Sequence, residues 1–163
     1  MTSSETQILV LGVGNILFTD EGIGVRCIEQ MQREYTFSPN VTLMDGGTLG
    51  TRLMGPIMEA NLLIVCDAVL CDDEPGSVYK LMGEDLRKSI AFRNSMHQTD
   101  LVDTLVMCEL VGNRPQAVVI GMEPLDYHSM DLNLSPTAQS SLPAMIRAVI
   151  SEIESAGGTC TPN

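Results

Sequence analysis

The chain has 163 residues, with 9 Lys and Arg against 21 Asp and Glu, a formal net charge of −12, and 44% hydrophobic residues. That length suits one domain with a core of its own and is short for two, and the apolar content separates the sequence from disordered chains. A charge of −12 argues against a nucleic-acid phosphate backbone or an anionic membrane surface as partner.

Residues 8–18 form the first apolar run. No Lys or Arg precedes it, Gly12, Gly14 and Asn15 interrupt it, and Asp20-Glu21 closes it. It therefore lacks the basic start and the cleavage site of a secretory signal. At about eleven residues it also falls short of the ~20 needed to cross a bilayer. It reads as a buried strand near residues 7–12 and the loop after it. Residues 22–35 follow with Ile23, Cys27, Ile28 and Met31 at helical spacing. Residues 41–45 form a second strand closed by Gly46-Gly47. A helical stretch over 49–59 is expected to break near Gly55-Pro56, because Pro cannot donate to the helix ladder. Residues 61–66 are a third buried strand ending at Asp67, and Pro75-Gly76 marks a turn into a more polar edge strand near 77–81.

Residues 97–111 carry Leu101, Leu105 and Cys108 on one helical stripe, and residues 116–121 are another buried strand. Ser135-Pro136 is an N-cap with Pro at the first helical position. The last helix runs to about Ser155, with Leu142, Met145, Ile146, Val149 and Ile153 inward, a kink at Pro143 and a stop at Gly157-Gly158. Strands that are apolar throughout, alternating with helices, predict one α/β domain over 1–163. Its sheet is open, twisted and mostly parallel, with about five strands and helices on both faces. Residues 1–6 and 157–163 are expected to be flexible ends. The five cysteines are odd in number and form no C-x-x-C, so a cytoplasmic protein with reduced thiols is expected. Cys27, Cys66 and Cys108 read as core filler.

In such a sheet, ligands bind beyond the carboxyl ends of the strands, where the strand order reverses. Those ends hold Gly12 to Gly24 with Asp20 and Glu21, then Asp45-Gly46-Gly47, Asp67, and Gly121 to Pro124 with Glu123. Gly12-x-Gly14 suggests a dinucleotide, but the third glycine of that fingerprint would fall on Leu17. Asp20 and Glu21 would also oppose a phosphate at ~4–5 Å by several kcal/mol at an effective dielectric near 20. A divalent cation suits the residues better. Glu21 and Asp67 would repel each other unless an ion or a shared proton intervened. His97, where a helix begins, would complete an O,O,N set with positions open to water or substrate. Blander readings stand beside this one: Asp20 or Glu21 complementing a helix dipole, Asp67 capping the next turn, and a solvated histidine.

At these residues the sequence resembles the [NiFe]-hydrogenase maturation endopeptidases. The stretches that carry the likeness are ILVLGVGNILFTDEGIGVR, LMDGGTLG, LLIVCDAV followed by EPGSVY, SMHQTDLVDTL, and the tail from GMEP to LSPTAQSSLPAMI. They run in order from residue 8 to about residue 155. The resemblance implies an endopeptidase that removes the C-terminal extension of a hydrogenase large-subunit precursor after nickel insertion. The nickel would be carried by that precursor, with other divalent cations able to substitute. By motif, the metal-binding and catalytic residues fall on Glu21, Asp67 and His97. Met96 stands where related sequences often have Pro, leaving the approach to His97 less constrained. His128 has no motif match and reads as surface. The glycines Gly46 and Gly47, with Asp45, would let an extended peptide approach and offer backbone N–H groups to a developing oxyanion. No Ser or Cys sits in a nucleophile context, which disfavours serine- and cysteine-protease readings; the resemblance implies an aspartyl-type endopeptidase, with water activated by the ion or a carboxylate. The competing class is a non-catalytic nickel-sensing or docking factor.

Overall fold

The structure, a computed structural model, describes residues 5–47, 54–90, 110, 112 and 115–163. In chain order the described elements are β1 (Ile8–Val13), a 3-10 turn (Thr19–Gly22), α1 (Ile23–Glu34), β2 (Tyr35–Phe37), β3 (Val41–Gly47), α2 (Met54–Glu59) and β4 (Leu62–Ala68). There follow β5 (Val78–Leu81), a 3-10 segment (Gly83–Lys88), β6 (Gln116–Met122), α3 (Pro136–Ser155) and β7 (Cys160–Pro162). Five strands form one sheet in the order β3-β1-β4-β6-β5. All neighbours are parallel except β5, which runs antiparallel to β6 at the edge, as its more polar sequence suggested.

The central strands are apolar along most of their length because both faces of the sheet are covered. On one face Val10, Ile64, Val118 and Ile120 pack against Ile28 and Met31 of α1 and Met145 and Val149 of α3. On the other, Leu11, Leu63, Val65 and Val119 meet Ile57 of α2 and Leu81. The chain leaves β1 for β3 on one side and returns to β4 on the other, so the order reverses between β1 and β4. Their carboxyl ends therefore diverge and leave room between the loops that follow.

Two local expectations change, and a third lies outside the described residues. The helix α2 continues through Gly55-Pro56 instead of breaking there. Pro56 lies in its first turn, where a backbone N–H has no helical acceptor to lose. The segment 157–163 is not a loose end. Gly157, at φ +100°, ends α3, and β7 then pairs antiparallel with β2. The backbone N–H of Asn163 donates to the Glu34 carbonyl at 2.8 Å, occupying an acceptor at the end of α1. The helix expected over 97–111 falls outside the described residues apart from Leu110, which is helical.

Gly24, in the first turn of α1, fixes how the helix meets the sheet. A Cβ there would stand 1.9 Å from the Cys66 carbonyl oxygen and 2.7 Å from that of Val13. The close helix–strand approach that Leu17 could not provide is made here instead. In an open helix interior Gly→Ala would stabilise by roughly 0.5–1 kcal/mol. Here Gly24→Ala must push α1 off β4, and we expect a loss of about 2–4 kcal/mol, read as a lower urea midpoint at unchanged m.

Candidate active site

The register sets Asp45, Gly12 and Cys66 abreast on β3, β1 and β4, with Asp67 one residue further along β4 opposite Gly121. Just past β1 the backbone turns through Gly14 at φ +119°, a conformation that L side chains rarely adopt. A Cβ at Gly14 would lie 2.0 Å from the Glu21 carbonyl oxygen and 3.7 Å from Oδ1 of Asp67. The bare backbone of Gly14 is thus the shared floor on which the Glu21 turn and the Asp67 carboxylate meet.

Asp67 is fully buried, and its Oδ2 accepts a hydrogen bond from the Ser89 hydroxyl at 2.6 Å. Ser89 is fully buried too, held by an antiparallel bridge to Val69 and by the Leu70 N–H donating to the Lys88 carbonyl at 2.7 Å. Glu21 is half-buried, and burial pushes its pKa above the ordinary 4.5. A backbone hydrogen bond from Asn15 and the charge of His128 act against that rise. Glu21 therefore holds a proton more readily than an exposed glutamate.

The neighbouring acids do other work. Asp20, 1% exposed, accepts from the Ser135 N–H at 2.8 Å, the Ser135 hydroxyl at 2.7 Å and the Leu125 N–H at 3.0 Å. It ties the loop after β1 to the loop before α3, and the Ser135 hydroxyl in turn accepts from the Ala138 N–H to cap α3. Glu123, also buried, takes the N–H groups of Cys71 and Asp73 at 2.9 and 3.0 Å and so shapes the loop after β4. Asp45 is exposed at the end of β3, followed by buried Gly46 and by Gly47, which pairs with Val13. Hydrogen bonds from Ser129, then from the His128 N–H, lower the Asp126 pKa to about 2 and set the turn that carries His128. His128 is exposed, with its ring 4.1 Å from that of Tyr127.

Of the residues expected at the site, the structure sets the main chain of Glu21 and Oδ1 of Asp67 against Gly14, and Asp45, Gly46 and Gly47 on the far side of β1. His97 lies outside the described residues. Among the described residues no three His, Cys, Asp or Glu side chains gather closely enough to hold an ion. Beside Oδ1 of Asp67 lies a space that any side chain at position 14 would fill. Ser89 was missed. It follows a short polar stretch with no periodicity, and only the folded chain carries it back to Asp67.

The adjacent acids should separate cleanly on mutation. Asp20→Ala leaves two buried donors, the Ser135 N–H and hydroxyl, and the part-buried Leu125 N–H without their acceptor and should cost about 2–4 kcal/mol in chemical denaturation. Ser89→Ala should cost about 1–3 kcal/mol by the same measurement, because it strips a hydrogen bond from a buried carboxylate. Glu21→Gln should act in the opposite sense. A carboxyl whose pKa is raised by folding weakens the fold fully above its folded pKa and not at all below the unfolded 4.5. At pH 7 the Gln variant should therefore melt above the wild type. The gap should close as the pH falls through the raised pKa towards 4.5, checked by thermal melts across pH 4–8.

Comparison with known proteins agrees with this geometry. The family model described as HycI hydrogenase maturation protease matches residues 25–152. A hydrogenase expression/formation protein HupD of Bradyrhizobium diazoefficiens is 38% identical over 86% of this chain and 74% of its own length. The hydrogenase 2 maturation protease of Escherichia coli K12 is 33% identical over 96% of both chains. The solved structure of the hydrogenase maturating endopeptidase HybD from E. coli superposes with a TM-score of 0.87 at 32% identity, covering 97% of this chain and 98% of that one. With the family model matching most of the chain and a maturation endopeptidase's fold matched along nearly its whole length, this chain belongs to the hydrogenase maturation protease family and is a peptidase.

Proposed function

We propose that this peptidase removes the C-terminal extension of a [NiFe]-hydrogenase large-subunit precursor after nickel insertion, with the nickel arriving as part of the substrate. The observation that carries the reading is that the turn bearing Glu21 and the carboxylate of Asp67 both border the bare backbone of Gly14. An acidic notch in a chain of net charge −12 disfavours a neutral or acidic peptide and favours one that brings a cation. Glu21, Asp67 and, by the resemblance, His97 would complete the coordination of that ion. Other divalent cations could substitute for nickel in such a set.

The protein's own groups divide the chemistry. The Ser89 hydroxyl, donating to Oδ2 at 2.6 Å, fixes the orientation of the Asp67 carboxyl, which suits it to hold a cation or orient a water. Glu21, with its pKa raised by burial, suits proton exchange with a water attacking the scissile carbonyl. β3 is the outer strand of the sheet and ends at Asp45-Gly46-Gly47, where an extended peptide could lie against the backbone. A thiol nucleophile is disfavoured: a hydrogen bond with Cys27 and burial push the Cys66 pKa well up, and burial raises Cys71 and Cys160. These three, with Cys27, are unbridged, in keeping with action in the cytoplasm.

The test is to incubate wild-type protein with nickel-loaded and nickel-free precursor and weigh the products. Only the loaded precursor should lose its extension. Glu21→Gln, Asp67→Asn and His97→Ala should each slow processing by about a hundredfold or more, a loss of ~2.7 kcal/mol in transition-state stabilisation. Equal cleavage of both precursors would overturn the nickel-sensing role. An unchanged mass for the loaded precursor would overturn cleavage itself and favour a docking factor.

A further inference from the structure

Of the six large apolar side chains exposed among the described residues, four gather on two adjacent loops: Leu17 at 46%, Leu125 at 54%, Met130 at 75% and Leu132 at 57%. The loops are fastened to each other. Phe18 bridges Asp131, the Asp131 N–H donates to the Leu17 carbonyl at 2.9 Å, and the Thr19 N–H donates to the Asp131 carbonyl at 3.0 Å. The Thr19 hydroxyl also reaches the Ser129 carbonyl at 2.7 Å, and the Asp20 N–H reaches the Asp126 carbonyl at 2.9 Å. Leu17 therefore stands beside Met130 and Leu132, the two residues that flank Asp131.

Exposed leucines are ordinary one at a time; a group of them on a hydrogen-bonded frame is not. Turns closed by Asp126 and Asp131 on their following N–H groups stiffen the frame further. A side chain held in place before contact loses little entropy on binding, so such a group is pre-arranged for a partner. The same loop carries Glu21, whose N–H donates to the Phe18 carbonyl at 3.0 Å. The charge of His128, between Leu125 and Met130, also reaches the Glu21 carboxyl, so these side chains border the site.

We propose that Leu17, Leu125, Met130 and Leu132 form a docking face for the folded body of the precursor, distinct from the notch that takes the scissile peptide. This rests on the function proposed above. The carboxylates of Asp126 and Asp131 at its rim select a partner surface that is apolar at its centre and basic around it. Holding the folded body here would raise the local concentration of its tail at the notch without adding any contact to the scissile bond.

The experiment compares wild type with the double variant Leu17→Ser/Met130→Ser and a control, Met82→Ser, which replaces an exposed methionine at 47% away from these loops. Thermal melts check that all three fold. Processing of purified nickel-loaded precursor is followed by mass, and direct binding of the same precursor by interferometry. The double variant should raise KM and Kd about tenfold or more with kcat within twofold, and the control should match wild type. Unchanged KM and Kd in a folded double variant would overturn the docking face while leaving the peptidase reading intact. If wild type binds the precursor without cutting it and the double variant loses that binding, the docking face stands and the cleavage reading falls. A wild-type dimer in sedimentation that the double variant dissolves, with precursor binding unaltered, would assign the face to a second copy and overturn the proposal.

Discussion

One buried carboxylate, Asp20, holds the working edge of this protein in shape. Stripped of water, a carboxylate needs donors from several directions. Asp20 finds them in the Ser135 N–H and hydroxyl and in the backbone around Leu125. Those donors belong to the loop before α3, so the turn that bears Glu21 is clamped to a segment more than a hundred residues away. The bridge between Phe18 and Asp131 and the cap of α3 both follow from that clamp. Neighbours in sequence, Asp20 and Glu21 thus face opposite demands: one is fully satisfied and immobile, the other half-exposed and open to exchange protons.

The sheet supplies the complementary half. Because the chain departs from β1 in both directions, Asp67 emerges where the loops part, and Ser89 meets it from the far side. Each acidic group of the site is therefore oriented by a separate piece of chain, Glu21 through Asn15 and Asp67 through Ser89. Neither depends on the other's side chain for its position.

Much of this was legible in the order of residues. Runs such as 8–13 and 62–66, without a charged or polar side chain, read as strands covered on both faces, and the polar residues at their ends then had to share one edge. Glu21 and Asp67 followed from that reasoning alone. What escaped has a common cause. The partners of Asp20, the contact of Ser89 with Asp67 and the pairing of β7 with β2 join positions far apart in sequence, within stretches that carry no periodic signal. The continuity of α2 through Pro56 turned on whether that residue lay in a first turn or an interior one, a difference of a few residues that spacing leaves open.

The seating of the Glu21 turn and of α1 against the ends of β1 and β4 is set by main chain against main chain, at Gly14 over the Glu21 carbonyl and at Gly24 over that of Cys66. Peptide groups do not change when side chains are exchanged. The apolar residues on either face of the sheet can therefore drift, trading volume among themselves, without altering the calibration of the notch. Descendants of this chain have wide licence in how they fill their interiors, and very little at two small residues that contribute no side chain at all.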